Sequence, residues 1–364
     1  MPNEATTSPS LPARAWQFRY RAELDGIRGL SVAAVLAFHA GLVVGGYLGV
    51  TCFFVLSGFL ITSILLEEWD ATKHISLRNF FVRRALRLLP AVYAVLIVTL
   101  GLSQLSILEK GRVTPAAALY VFFYVSNWAR AFLWCRLGVV DHTWSLAIEE
   151  QFYLLWPLLL LTCLRRRVRP RALVALLLVA IAASTCLRAF LYRGPSDFRR
   201  VASGTDTMAD ALLIGVLTAV ALRTGALGNW RSLADRRAFR ALTLAGVALV
   251  IWMTMSISHL DPMVYQRGLT LVALTTAAVI LWVVTVPSAA LSRCLTFPPL
   301  AWAGRLSYGI YLWHVPVFRM VEKLPVSGRY LLPLVQILVS LVVAAISYYG
   351  FERYFMRLKR RFES

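Results

Sequence analysis

Eleven apolar windows, most of them close to the ~20 residues that a helix needs to cross a bilayer, follow one another along this chain. They lie at 24–44, 46–66, 88–106, 115–132, 143–164, 172–192, 205–222, 241–258, 268–286, 300–321 and 330–350. Such a succession excludes a soluble domain, and composition agrees. Of the 364 residues, 59% are hydrophobic and 15% charged, where soluble domains run near ~45–50% and ~25%. The fold class expected is all-α: a polytopic membrane protein of about ten transmembrane helices with one re-entrant segment. Residues 1–18 are expected to form a disordered cytoplasmic N-terminus, 19–357 a single transmembrane domain, and 358–364 a basic cytoplasmic tail. The first 18 residues lack the apolar stretch of a cleavable signal peptide, so the first helix is expected to be retained.

The net charge of +20 needs owners. Basic loops at 70–87, 165–171 and 223–240, with the basic tail, read as cytoplasmic. Counting forward from an inner N-terminus and backward from an inner tail leaves both ends of 115–132 on one side. That segment, which carries Asn127 and Arg130, is therefore expected to be re-entrant and shielded by protein. Ten crossings then place both termini in the cytoplasm and 24 of the 38 Lys and Arg residues on the inner side, 10 on the outer. Most of the charge orients helices, and no nucleic-acid partner is expected. Cys52, Cys135, Cys163, Cys186 and Cys294 show no paired spacing, so neither a metal centre nor a disulfide framework is expected. No internal repeat of the transporter kind is visible.

Ionisable groups at membrane depth are costly and mark function. Arg28 and His39 are separated by eleven residues, about three helical turns, so they share a face, with Asp25 within about 40° of it. The rise of about 16 Å places His39 roughly halfway through a core of ~30 Å. An imidazole there suits a proton relay, a ligand contact or a reaction base. Arg84 and Arg87, at i and i+3 below the bilayer, present guanidinium forks that suit phosphate oxygens. The fifth span opens Asp141-His142-Thr143-Trp144-Ser145 and continues to Glu149, Glu150 and Tyr153. Two carboxylates at the outer mouth of an aromatic-bearing helix suit a carbohydrate. The tenth holds Ser307, Tyr308, Tyr311 and His314, of which Ser307, Tyr311 and His314 share a face.

These stretches, in this order, resemble the membrane-bound acyltransferase 3 family. The carrying residues are LDGIRG with R-x10-H (Arg28 to His39), GGYLGVTCFFVLSGFLIT (45–62), the R-x-x-R of Arg84 and Arg87, HTWSLAIEEQFYLLWP (142–157) and LSYGIYLWH (306–314). The resemblance runs from about residue 20 to about residue 357. It implies a ten-helix enzyme of the plasma membrane that moves an acyl group, acetyl or short, from cytoplasmic acyl-CoA to a hydroxyl, often on an envelope glycan. In that family the R-x-x-R is associated with the CoA donor and the R-x10-H histidine with catalysis, roles that carry to Arg84, Arg87, Arg28 and His39. Some relatives append an extra span and a hydrolase-like domain. This sequence ends at Ser364 and is expected to complete transfer alone or with a partner.

The residues expected to carry catalysis are His39, Asp25, Glu149 and Glu150, with Asp25 or Glu150 orienting the imidazole. Arg28, Arg84 and Arg87 are expected to hold acyl-CoA, a co-substrate and not a permanently bound cofactor. Trp144, Ser145, Tyr153, Tyr308, Tyr311 and His314 are expected to contact the acceptor. A glycosylated small molecule, such as a macrolide-type metabolite, is the alternative acceptor. A proton-coupled transporter is the alternative from another class, with a scaffold as a third.

Overall fold

The computed structural model describes residues 20–108, 111–225, 228–286 and 289–362. The N-terminal residues 1–18 lie outside the described residues, as do 363 and 364 at the end of the tail. The described residues are mostly helical, with no strand among them. In order the helices are α1 Ala22–His39, α2 Leu48–Thr72, α3 Leu77–Gln104, α4 Pro115–Phe122, α5 Ser126–Ala131, α6 Trp144–Arg165, α7 Pro170–Leu191, α8 Phe198–Ser203 and α9 Thr205–Thr224. They continue as α10 Trp230–Asp235, α11 Arg237–Ser256, α12 Leu269–Thr285, α13 Ala289–Leu295, α14 Pro298–Arg305, α15 Ser307–Val321, α16 Leu331–Ser347 and α17 Arg353–Lys359.

Among the described residues, eight helical stretches are long and apolar enough to cross a membrane: those built on α2, α3, α6, α7, α9, α11, α12 and α16. The two other expected spans are helical but shorter or broken. They are α1, with 18 residues, and the pair α14–α15, interrupted at Leu306. The 115–132 segment folds as α4 and α5, of 8 and 6 residues. At ~1.5 Å per residue neither approaches the ~30 Å of a hydrocarbon core. Several of its polar groups are met by protein, while the buried Tyr124 hydroxyl has no hydrogen-bond partner among the described residues. The Gln151 amide donates to Tyr124 O (2.8 Å) and Asn127 Oδ1 (2.9 Å), and Asn127 donates to Ser203 O (3.1 Å) and the Thr205 hydroxyl (3.0 Å). Irregular backbone satisfied in this way tolerates an apolar surround.

Helices α2 and α9 form the centre, each with 67% of its apolar window buried. Lipid offers no hydrophobic force between helices, so close backbone approach through small residues does the packing. A methyl group added at Gly58 of α2 would lie 2.0 Å from Leu212 O, and one at Gly215 of α9 would lie 2.1 Å from Val55 O. The same device seats α14 on α1, where a Cβ at Gly304 would meet Asp25 O at 1.8 Å. The outer surface carries bare apolar side chains such as Ile97, Leu242, Val342 and Ile346, as a lipid-facing belt requires.

One sequence expectation is corrected here. The first apolar window, 24–44, does not continue as helix beyond His39. Gly41 takes φ 72°, its N–H bonds Phe38 O (3.0 Å) and the Leu42 N–H bonds Ala37 O (2.8 Å). This is a Schellman ending, which needs a residue tolerant of the left-handed region. His39 therefore sits at the end of its helix, not along it.

Candidate functional site

Two cavities meet inside the bundle. The larger, about 930 Å³, is lined by His39 together with Tyr47, Arg130, Asp141, His142 and Trp144 among others. The smaller, about 70 Å³, lies toward the first turns of α1 and is lined by Arg28, Arg84, Arg87, Ser57, Glu149 and Tyr153 among others. Val50 and Tyr311 line both, so the imidazole side and the guanidinium side adjoin at these two side chains.

The three arginines come from two helices. Arg28 sits on α1, three residues after Asp25, whose Oδ1 is 3.5 Å from its Nη1. Asp25 also accepts from the Tyr20 hydroxyl (2.6 Å). Arg84 and Arg87 project from α3, with the Arg84 guanidinium 4.8 Å from the centre of the Tyr153 ring, a cation–π arrangement. Glu149 faces this cluster. The Ser57 hydroxyl donates to its Oε1 (2.6 Å) and the Tyr153 hydroxyl donates to Ser57 Oγ (3.0 Å). Tyr308 borders the same cavity and donates to Leu88 O (2.9 Å). Three cations against one lining carboxylate give this cavity a positive field suited to an anion.

His39 is exposed, and its exposure is to the large cavity. Its Nδ1 is 3.0 Å from Val35 O and 3.3 Å from Nε2 of His314. His314 is fully buried on α15, and its Nδ1 lies 2.6 Å from Tyr311 O. His142 packs edge-on against the His314 ring, with centroids 5.1 Å apart, and its Nε2 is 3.2 Å from Leu312 O. Tyr311 donates its hydroxyl to His142 O (2.8 Å), so the Ser145 hydroxyl, 2.6 Å away, is the donor to Tyr311. Trp144 walls the large cavity. The Arg130 guanidinium lies 5.3 Å from its ring centre, and Nε of Arg130 is 3.0 Å from Asp141.

Most sequence-selected residues are brought together, but not all where expected. Arg28, Arg84 and Arg87 converge, and Ser307, Tyr311 and His314 do share a face of α15. The two carboxylates of α6 do not line the cavity that Trp144 lines. Glu149 lines the arginine cavity, and Glu150 lines neither cavity. The helix begins at Trp144, so five residues carry Glu149 about 7.5 Å deeper and more than a turn around. Ser145, Tyr153 and Tyr308 likewise border the smaller cavity, while Trp144 and Tyr311 border the larger. The Nδ1 of His39 finds His314 and Val35 O, and neither Asp25 nor Glu150 contacts the ring. Sequence reading did not select Ser57, Arg130, Asp141 or His142. Arg130 carries a signal, a lone cation inside an apolar window; Ser57 and His142 lie within the stretches 45–62 and 142–157 that carry the resemblance.

Comparison with known proteins identifies the family. The acyltransferase domain family matches residues 21–351. The peptidoglycan O-acetyltransferase OatA of Listeria monocytogenes is 36% identical over 316 residues, 83% of this chain and 50% of the relative. The putative peptidoglycan O-acetyltransferase YrhL of Bacillus subtilis is 33% identical, over 92% of this chain and 55% of its own length. The O-acetyltransferase OatA of Staphylococcus aureus is 34% identical, over 91% and 56%. This chain thus spans about half the length of these curated relatives. No solved structure matches. With its family model covering nearly every described residue, this all-helical, multi-pass membrane chain belongs to the acyltransferase domain family.

Proposed function

We propose that this chain transfers an acyl group, acetyl or short, from cytoplasmic acyl-CoA to a hydroxyl of a cell-envelope carbohydrate, with His39 as general base. The observation that carries this reading is the pair of cavities. One holds three arginines and the other the histidine, and they share Val50 and Tyr311 as a common wall. The relatives named above, peptidoglycan O-acetyltransferases by name, favour an amino-sugar glycan as acceptor.

The positive-inside bias puts the arginine cavity on the cytoplasmic side of the plasma membrane, with both termini on that side. Its volume of about 70 Å³ is too small for a nucleotide, so the 3′,5′-ADP of CoA stays at the mouth. There Arg84 and Arg87 take phosphate oxygens, and the pantetheine arm passes inward as the cavity widens. The thioester reaches the Val50–Tyr311 wall from one side. The acceptor enters the 930 Å³ cavity from the other, past Trp144. His39 takes the hydroxyl proton as the oxygen attacks the thioester carbonyl, the C–S bond breaks, and the proton passes to the departing thiolate. The two substrates thus approach from opposite sides and meet only at their reacting groups, beside the base. Base catalysis of this kind contributes about 10²–10⁴-fold.

The test is mass spectrometry of envelope glycans from cells with and without the protein, seeking an added acyl mass, paired with the His39→Ala variant. Loss of the added mass in that variant, at unchanged membrane abundance, is the expected result. Glycans that keep their acyl groups overturn the reading. Acylation of a small glycoside in place of the glycan redirects the acceptor.

A further inference from the structure

His314 is 275 residues from His39 in sequence and wholly buried, yet its ring stands 4.8 Å from the His39 ring, tilted 65°. Carbonyl oxygens only accept hydrogen bonds, so any ring nitrogen facing one carries the proton. His314 Nδ1 faces Tyr311 O at 2.6 Å and is the protonated nitrogen of that ring. Its Nε2 in the neutral ring is therefore an acceptor. His39 Nδ1 faces Val35 O at 3.0 Å and is protonated too. It points at the His314 Nε2 lone pair, 3.3 Å away, so one hydrogen is shared between the carbonyl and the second histidine. The other nitrogen of His39, Nε2, makes no hydrogen bond among the described residues and is left with its lone pair. The two carbonyls thus determine both tautomers without any carboxylate.

We propose that His314 is the positioning residue of the reaction: it holds His39 in the Nδ1–H tautomer and keeps Nε2 as the basic nitrogen. This rests on the general-base reading given above. When Nε2 of His39 takes the acceptor's proton, positive charge spreads over the ring and the Nδ1–H bond to His314 becomes charge-assisted, hence stronger. The proton then leaves Nε2 for the CoA sulfur, and His39 returns to its starting tautomer with nothing else oxidised, reduced or consumed. A neutral histidine does here what a carboxylate does in a hydrolase triad, without fixing an anion deep in an apolar bundle, where it would be costly. His142, edge-on to the other side of His314 and tied to Leu312 O, holds that ring in place.

Three substitutions at one position separate the roles. Glutamine reaches far enough to offer His39 an acceptor in place of Nε2. Asparagine reproduces only the contact to Tyr311 O, and leucine neither. The assay is CoA release by purified protein in nanodiscs from acetyl-CoA with soluble peptidoglycan fragments. His314→Leu and His314→Asn are expected to lose about 10²-fold or more in kcat, within the range of a misplaced general base, with both KM values kept. His314→Gln is expected to recover at least tenfold of that loss. His39→Ala combined with His314→Leu should be no slower than His39→Ala alone. Equal kcat for the glutamine and asparagine variants, or an effect confined to KM, overturns the positioning role while leaving His39 as base. Full turnover in His39→Ala overturns the base itself, so the two failures are distinguishable. Asparagine and glutamine are both neutral amides, so their comparison stands even if leucine prevents folding.

Discussion

Arg188 of α7 and Asp210 of α9 form a two-point ion pair wholly inside the bundle, with Nη1–Oδ1 at 2.7 Å and Nη2–Oδ2 at 2.8 Å. The remaining donors of the guanidinium are used as well: Nε goes to Tyr265 O (3.0 Å), Nη1 also to Thr207 O (2.6 Å) and Nη2 also to the Thr270 hydroxyl (2.6 Å). A charge so deep is tolerable only with every lone pair and proton satisfied. Neither Arg188 nor Asp210 lines either cavity, and the group ties α7, α9 and α12 together.

Removing one partner leaves the other charge buried. Arg188→Met is expected to cost about 3–5 kcal/mol, whereas Arg188→Met with Asp210→Leu should recover most of that loss. Thermal unfolding of the detergent-solubilised protein measures both. A single variant as stable as wild type contradicts the account.

Glycine at the α2–α9 crossing makes a second, sharper claim. Gly58→Val places atoms where the Leu212 carbonyl stands, and the expected outcome is loss of folded protein. Gly101 is exposed in α3 with nothing within 4 Å of an added Cβ. Gly101→Ala should therefore stabilise by up to about 1 kcal/mol, the difference in helix propensity. Monodispersity on size exclusion, followed by melting temperature, distinguishes these outcomes. A well-folded Gly58→Val chain shows that the helices do not meet there.

Helical arithmetic was enough to align Arg28 with His39, to pair Arg84 with Arg87 and to put Tyr311 with His314, because each set lies on one helix. Loop charges alone predict that 115–132 does not cross as one helix, and the short α4 and α5 agree with that. What stayed hidden depends on pairs far apart in sequence: Ser57 with Glu149, 92 residues on, and His39 with His314. The window 143–164 matches α6 closely, but a helix turns 100° per residue, so Glu149 faces a different way from Trp144. The early end of α1 had a legible sign in Gly41.

Tyr311 and Ser145 provide a test of the wall between the cavities. Tyr311→Phe leaves the buried Ser145 hydroxyl without its partner and should cost about 1–3 kcal/mol, the penalty of an unsatisfied buried group. Ser145→Ala in the same chain removes that orphan, so the double variant should be more stable than Tyr311→Phe alone. Melting temperatures of the four chains complete the cycle. Simple additivity would show that the 2.6 Å contact contributes nothing.

Arg84 and Arg87 are expected to act on the donor alone. Charge-assisted bonds to phosphate contribute about 1.5–3 kcal/mol each, so Arg84→Ala with Arg87→Ala should raise KM for acetyl-CoA by at least tenfold. The KM for peptidoglycan fragments should hold, since neither residue lines the large cavity. Arg84→Lys keeps the charge but gives up the planar guanidinium lying against Tyr153. A lysine there cannot offer the same fork, so donor KM should fall between wild type and the alanine pair. Steady-state kinetics with each substrate varied in turn decide the matter. A rise in acceptor KM, with donor KM unmoved, would place the donor in the other cavity and reverse the direction of transfer across the wall.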